Sequence, residues 1–263
     1  MVGSERKKMR YEILGPLHIV TDDEELSLSA NKLEILLGTL LIRADQIVPA
    51  EQLLTELWGE NPPRRARDGL YVYISQLRKL LDRSQRAESP IVTSSCGYTL
   101  RLGTDEFDLH HFHGAAREGR RQLWQGSAHE AVAAFEDALA LWRGPILGGL
   151  AGGPIVDGFA VWLEECRLEC QELLIDANLR LGRHREMVGL LYSLTTEHPL
   201  REAFSQRLML ALYRSGRQAD ALRVYLHARD VISTELGIEP GQPLRDLHQA
   251  ILIDDNELIL CPS

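Results

Sequence analysis

The sequence has no long apolar run, and none of its stretches approaches the roughly 20 residues that a membrane-spanning helix needs. Its first residues, MVGSERKKMRYEI, also lack the apolar core of a signal peptide. These two absences predict a cytoplasmic protein with no membrane partner.

Cysteine is scarce, and four of the 263 residues are of this type: Cys96, Cys166, Cys170 and Cys261. The second and third are spaced C-x-x-x-C, whereas zinc and redox sites usually carry C-x-x-C with further Cys or His ligands. Three histidines lie close together without a Cys or carboxylate set at ligand spacing: His110, His111 and His113. We therefore expect neither a metal site nor a cofactor.

Sequence signatures of catalysis are missing as well. The chain has no G-x-S-x-G, no H-E-x-x-H and no G-x-x-x-x-G-K-[ST] motif. Its glycine-rich segment 148–154 has no preceding strand and no following Lys-Ser/Thr, which favours a flexible connector over a phosphate loop. The sequence is therefore not predicted to be an enzyme.

Positive charge is scarce over the whole chain, with 29 Lys and Arg against 38 Asp and Glu. Residues 1–104 contain 14 of each kind, so the entire net charge of -9 belongs to residues 105–263. Together with the chain length, this division predicts two domains, 1–104 and 105–263. The acidic second domain is not expected to lie along DNA.

Basic residues are concentrated in one segment, 61–86, where seven of them face only Asp68 and Asp82: Arg64, Arg65, Arg67, Arg78, Lys79, Arg83 and Arg86. A cationic segment in an acidic chain predicts an anionic partner, and nucleic acid is the first candidate. The same segment carries apolar residues at i, i+4, i+7 and i+11, which is one face of a helix: Leu70, Ile74, Leu77 and Leu81. The alternative is a solvated surface helix.

A helical projection places a mixed face opposite this apolar stripe: Arg65, Asp68, Val72, Ser75, Gln76, Lys79 and Arg83. Such a face suits the major groove, because Gln pairs bidentately with adenine and Val contacts the thymine methyl group. Arg78, Lys79 and Arg83 are expected to bind phosphates.

The surrounding sequence predicts a winged helix. One amphipathic helix contains Leu33 to Leu41, and a second, short helix follows Pro49 and ends at Gly59. Three helices with short connections fit a helix-turn-helix core in which the third reads DNA. The segments 91–93 and 98–100 predict a hairpin, or wing, and three short segments before the helices predict an antiparallel sheet: 11–13, 17–19 and 26–28.

The second half carries a repeat. Leu181-Gly182-Arg183 and Ser215-Gly216-Arg217 lie 34 residues apart, which matches the tetratricopeptide period, and Gln125-Gly126-Ser127 is a related turn. Helical hairpins of this kind stack and leave a concave surface for a protein partner. The alternative is a helical bundle that only supports the DNA-binding domain.

Several long motifs carry a family resemblance. GPLHIV (15–20), LLGTLLIRA (36–44), LWGENPPRRARDGLYVYISQLRKLL (57–81) and CGYTL (96–100) resemble the OmpR-type winged helix of the Streptomyces antibiotic regulatory proteins. ALALWRGPIL (138–147), HPLREAFSQRLMLALYRSGRQADALRVY (198–225) and ELGIEPGQPLRDLHQAIL (235–252) resemble the bacterial transcriptional activator domain that follows it. The resemblance runs from about Arg10 to about Leu260.

This resemblance implies an α+β winged helix-turn-helix domain followed by an all-α, tetratricopeptide-like domain. It implies a sequence-specific activator of antibiotic or other secondary-metabolite genes, with two protomers on direct repeats of promoter DNA. It also implies recruitment of RNA polymerase with its sigma factor.

The residues expected to contact DNA are Arg65, Arg67, Tyr71, Val72, Ser75, Gln76, Arg78, Lys79, Arg83 and Ser94. Those expected to contact polymerase are Lys32, Trp58, Glu60, Asn61 and Arg64. The family's wing commonly has basic residues where this chain has Ser94 and Thr99, which shifts the expected contacts from the wing to the helix. The alternatives are a tetratricopeptide-like adaptor that binds a protein or small ligand, and a repressor with the same DNA contacts.

Overall fold

The computed structural model describes residues 8–21, 25–26, 28, 30–81 and 89–254. These residues form two compact units that do not follow the order of the chain. The first unit is Met1–Ala115 with Asp137–Arg167, and the second is Ala116–Glu136 with Leu168–Ser263. No helix among the described residues is long and apolar enough to cross a membrane. Arg83 lies outside the described residues.

The strands are short, and in chain order they are β1 (Met9–Glu12), β2 (His18–Thr21), β3 (Glu25–Leu26), β4 (Val48–Pro49), β5 (Ile91–Thr93), β6 (Gly97–Leu100) and β7 (Glu106–Phe107). The helices are α1 (Asn31–Ile42), α2 (Ala50–Trp58), α3 (Ala66–Leu81), α4 (Asp108–Trp124), α5 (Ala128–Ala140), α6 (Pro154–Arg180), α7 (His184–Glu197), α8 (Glu202–Arg214), α9 (Gln218–Leu236) and α10 (Gln242–Leu252).

The first unit opens with a four-stranded sheet in the order β3-β2-β1-β7. Its first three strands are antiparallel, which confirms the sheet predicted from the alternating sequence. The parallel pairing of β7 with β1 was not predicted, because two residues carry too little periodicity to identify a strand.

A three-helix core follows, formed by α1, α2 and α3. The α2 helix ends at Gly59, whose φ of 63° is accessible to glycine at low cost, as the sequence predicted. The predicted hairpin is present as β5 and β6, and β4 extends it to a sheet in the order β4-β6-β5. Gly97 permits this pairing, because a β-carbon there would lie 2.0 Å from the Val48 carbonyl oxygen.

The segment between α5 and α6 contains a short packed turn that overlaps the start of the expected connector 148–154, and the flexibility of that connector stays a prediction. A short 3-10 helix, Ile146–Gly149, buries Ile146 and Leu147 in the first unit. Its backbone is held by hydrogen bonds from the Leu147 N–H to the Ile13 carbonyl and from the Gly148 N–H to the Gly15 carbonyl, both 3.0 Å. The glycines here form a tight turn against the connection between β1 and β2, with φ of 68° at Gly148 and 75° at Gly149.

The second unit consists of helical hairpins. Its turns contain the three predicted glycines in left-handed backbone conformations, with φ of 83° at Gly126, 75° at Gly182 and 78° at Gly216. The apolar faces of α6 to α10 form one core, which includes Leu191, Phe204, Leu212, Tyr225 and Leu244. This arrangement confirms the predicted tetratricopeptide-like fold.

Candidate nucleic-acid interface

The α3 helix docks through the apolar stripe that the sequence predicted. Leu70, Ile74, Leu77 and Leu81 are all buried, with at most 2% of each residue exposed. Asp68 in the first turn and Arg78 and Lys79 in the last turn match the direction of the helix dipole. The docked stripe fixes which side of α3 faces outward.

The outward side of α3 is an edge of five exposed residues, called here the reading edge: Tyr71, Val72, Ser75, Gln76 and Lys79. Tyr71 is 65% exposed and Val72 is 52% exposed, so this edge presents apolar surface to solvent. The side chains of Ser75, Gln76 and Lys79 bond to no other residue within the described ranges. Their donors and acceptors are therefore available to a ligand.

Two of the predicted DNA contacts take part in surface ion pairs at the start of α3. The Arg65 Nε lies 3.0 Å from an Asp68 carboxylate oxygen, and Arg67 pairs with Glu51 on α2. All four side chains are at least 65% exposed. Exposed pairs of this kind contribute little to stability, so both guanidinium groups can exchange their carboxylate for a phosphate.

Arg78 has a role that the sequence did not reveal, because it ties the wing to α3. Its Nε and Nη2 donate to the Ile91 carbonyl at 3.1 and 3.0 Å, and Nη2 also donates to the Thr93 hydroxyl at 2.7 Å. The guanidinium thus positions the hairpin while Nη1 stays available. Sequence periodicity gave Arg78 a position on the helix but no contact across to another element.

The base of the wing contains Tyr98, which no sequence pattern had marked as part of the site. Tyr98 is buried, and its burial raises the pKa of its phenol, with a further increase from the neighbouring Tyr71 and an opposing effect from Arg78. At the tip, the Ser94 N–H donates to the Gly97 carbonyl at 2.8 Å and closes the turn. Ser94 itself is half-buried.

The residues proposed to contact polymerase divide into a packed pair and an exposed loop. The Lys32 Nζ donates to the Leu57 carbonyl at 2.6 Å and lies 4.8 Å from the centroid of the Trp58 ring. That ring stacks on Tyr73 of α3 at 6.1 Å, in a space left by Gly69. The remaining three residues are exposed in the segment after α2: Glu60, Asn61 and Arg64.

Two of the three histidines that are close in sequence pack against aromatic rings. The His110 ring packs against Phe107 at 5.2 Å, and the His113 ring packs against Phe112 and Trp162 at 5.4 and 5.5 Å. Across the described ranges, no three His, Cys, Asp or Glu side chains are grouped as a metal site would require. Burial raises the pKa of the Cys170 thiol to about 12, which keeps it protonated and unreactive.

Two family models match the chain. Residues 107–252 match the bacterial transcriptional activator domain, and residues 23–100 match the family described as "Transcriptional regulatory protein, C terminal". The solved structure of Mycobacterium tuberculosis EmbR in complex with a low-affinity phosphopeptide superposes with a TM-score of 0.89. It is 32% identical and covers 94% of this chain and 66% of the EmbR chain.

Curated relatives agree with these matches. Regulatory protein AfsR of Streptomyces griseus is 37% identical over 95% of this chain, which spans 25% of the length of AfsR. Regulatory protein DnrI of Streptomyces peucetius is 35% identical over 94% of this chain and 93% of DnrI. The chain therefore belongs to the Streptomyces antibiotic regulatory protein family of transcriptional activators, with an OmpR-type winged helix ahead of a bacterial transcriptional activator domain.

Proposed function

We propose that this protein activates transcription by placing α3 in the major groove of promoter DNA. The observation that carries the proposal is the reading edge, where exposed Val72, Ser75, Gln76 and Lys79 lack partners among the described residues. An exposed apolar residue beside an unpaired amide and an ammonium group has the chemistry of base readout combined with phosphate binding.

Each residue of the reading edge has a proposed task. Gln76 pairs with an adenine through its amide, and Val72 contacts a thymine methyl group. The Ser75 side chain is small enough for α3 to approach the wall of the groove closely, and Tyr71 packs along the sugar-phosphate backbone. Lys79 binds a phosphate and releases its counterion.

Further phosphate contacts flank this edge. Arg65 and Arg67 bind the backbone at the start of α3, and Arg83, outside the described residues, binds it beyond the end. Arg78 holds the wing so that Ser94 fixes the register of the protein on the duplex. In this arrangement the helix supplies sequence specificity and the flanking residues supply affinity.

We propose that two protomers bind direct repeats upstream of genes for antibiotic or other secondary-metabolite biosynthesis, in the bacterial cytoplasm. The names of AfsR, DnrI and the transcriptional regulator RedD of Streptomyces coelicolor support a regulatory role. RNA polymerase and its sigma factor are proposed to bind a surface made of Lys32, Trp58, Glu60, Asn61 and Arg64.

The test combines footprinting of the purified protein on nearby promoters with the double variant Gln76→Ala/Lys79→Ala. The variant is expected to lose specific binding, and Lys79→Ala alone should reduce the slope of log affinity against log salt by about one. Arg185→Ala is the matched control, because Arg185 is an exposed cation on α7. Full binding by the double variant with an unchanged salt slope would refute the assignment of the reading edge.

Transcription with purified RNA polymerase then separates an activator from a repressor. Increased transcript from the footprinted promoter supports activation, whereas decreased transcript supports repression through the same contacts. A protein that binds no promoter at all would favour the adaptor alternative.

A further inference from the structure

Glu56 is a buried carboxylate with an unusual set of partners. It lies on α2, is 4% exposed, and accepts hydrogen bonds from three backbone N–H groups at the start of α6. The donors are Gly153 at 3.0 Å, Ile155 at 2.6 Å and Val156 at 3.3 Å. A carboxylate in this position satisfies helix N–H groups that have no intrahelical partner and interacts favourably with the helix dipole.

The fit between Glu56 and the start of α6 is close. A β-carbon on Gly153 would lie 2.6 Å from the Glu56 Cα and 3.0 Å from a carboxylate oxygen, so only glycine fits without a shift. Val156 is buried at the same place. The contact therefore joins α2 and α6 through both hydrogen bonds and backbone proximity, within the first unit.

Glu56 is also close in sequence to the proposed polymerase surface. Residues 59–65, called here the 59–65 loop, are all exposed. At its start the loop is held by the last turn of α2, where the Gly59 N–H donates to the Thr55 carbonyl at 2.8 Å. The reading edge has further supports, because α3 is held by its apolar stripe and by the contacts of Arg78 in addition to the stacking of Tyr73 on Trp58. The orientation of the last turn of α2 therefore affects the loop more than it affects the reading edge.

We propose that Glu56 is a positioning residue for transcription activation: by fixing the last turn of α2 against α6, it presents the 59–65 loop to RNA polymerase. This inference rests on the proposed function. It separates two properties of the protein, because promoter affinity depends on α3 whereas activation also depends on the α2–α6 contact.

The experiment compares full-length wild-type protein with Glu56→Gln, Gly153→Ala and two matched controls. Glu56→Gln replaces one acceptor oxygen by a donor that faces backbone N–H groups, and Gly153→Ala disturbs the same contact from the α6 side. Glu186→Gln makes the same chemical change at an exposed position of α7. Gly158→Ala makes the same change on α6, where a β-carbon meets no atom within 4 Å.

Promoter affinity is measured by fluorescence anisotropy, and activation by transcript yield with purified RNA polymerase at saturating protein. For Glu56→Gln and Gly153→Ala we expect affinity within about twofold of wild type, because the apolar stripe of α3 and the contacts of Arg78 stay in place. Transcript yield should fall by about tenfold, equivalent to the loss of one well-placed contact. Both controls should keep wild-type affinity and yield.

Two results would overturn the inference while the proposed function stands. One is wild-type transcript yield from both variants. The other is an equal loss of affinity and yield, including loss through unfolding, which would make Glu56 a residue of general stability. If wild-type protein itself fails to activate, the proposed function fails and this inference falls with it.

Discussion

Arg78 shows how much of the candidate interface depends on single side chains that contact other elements. Its guanidinium group makes three hydrogen bonds to β5, and the sequence identified it only as a cation on a helix. A periodic pattern reports the direction of a side chain around its own helix, whereas a contact to a strand 13 residues away depends on the whole fold.

We expect Arg78→Ala to lower the free energy of unfolding by about 1–2 kcal/mol, since hydrogen bonds from charged donors are lost at a half-buried site. Arg78→Lys should recover less than half of the loss, because one ammonium group cannot reproduce the planar fork. Urea unfolding measures both. Lys79→Ala is the neighbouring control and should change stability by less than about 0.5 kcal/mol. Equal stability of Arg78→Ala and Lys79→Ala would contradict the role of Arg78 in holding the wing against α3.

Asp108 predicts a pH effect on stability. Its buried carboxylate accepts from the Ile13 and Leu14 N–H groups at 2.8 and 2.9 Å, and Arg143 lies 3.7 Å away. Burial raises its pKa above the ordinary value, more than the backbone hydrogen bonds from Leu14, Ile13 and Leu109 and the charge of Arg143 lower it. In the unfolded protein the group titrates at about pH 4. Between that pH and the raised folded pKa, the folded protein holds the extra proton, so stability falls as the pH rises.

We therefore compare Asp108→Asn with wild type by urea unfolding from about pH 4.5 to pH 8. Asn keeps an oxygen for the two N–H donors and cannot ionise, so the variant should gain stability relative to wild type as the pH rises. The stability of wild type relative to the variant should be highest at the lowest pH of the series. A stability difference that is independent of pH would contradict the assignment.

At the scale of elements, the sequence predicted those features of helices and turns that depend on local periodicity. The apolar stripe gave the correct inward face of α3, and hence the reading edge, because one repeat of Leu and Ile at helical spacing admits few orientations. Its proposed DNA contacts stay predictions. The turn glycines gave the helical hairpins for a similar local reason, since a left-handed residue after a helix ends it.

The glycines of these turns can be compared with a glycine inside a helix. Gly182→Ala and Gly216→Ala should each destabilise the protein by about 1 kcal/mol, because alanine is strained at positive φ. Gly189 lies inside α7, where an added β-carbon would meet no atom within 4 Å, so Gly189→Ala should stabilise by about 0.5–1 kcal/mol. Thermal and urea unfolding should show a loss of stability for the two turn variants and a gain of stability for Gly189→Ala. The same sign in all three would contradict the turn geometry.

At the scale of the molecule, the chain's division into compact units was beyond sequence reasoning. Residues 137–167 join the winged helix in the first unit, although charge and composition group them with the acidic second half. The reason is specific packing: a β-carbon on Gly38 of α1 would lie 2.9 Å from the Leu147 side chain. Close approach between residues so far apart in sequence leaves no periodic signal.

This packing predicts the behaviour of a shortened protein. A fragment of residues 1–104 lacks Leu147 and Val156, which are buried in the first unit, and leaves the Glu56 carboxylate without its three donors. We expect the fragment to unfold at a lower temperature than the full chain and to bind a hydrophobic dye such as ANS more strongly. A fragment as stable as the full chain, with no added dye binding, would show that residues 137–167 add nothing to the winged helix.

The close packing of Leu147 against Gly38 also affects the design of chimaeric proteins from members of this family. A winged-helix domain exchanged at residue 104 would meet a foreign 143–156 segment, and a β-carbon at the position of Gly38 would come within 2.9 Å of the Leu147 side chain. Promoter specificity should therefore transplant best when the incoming winged helix brings its own counterpart of residues 143–156.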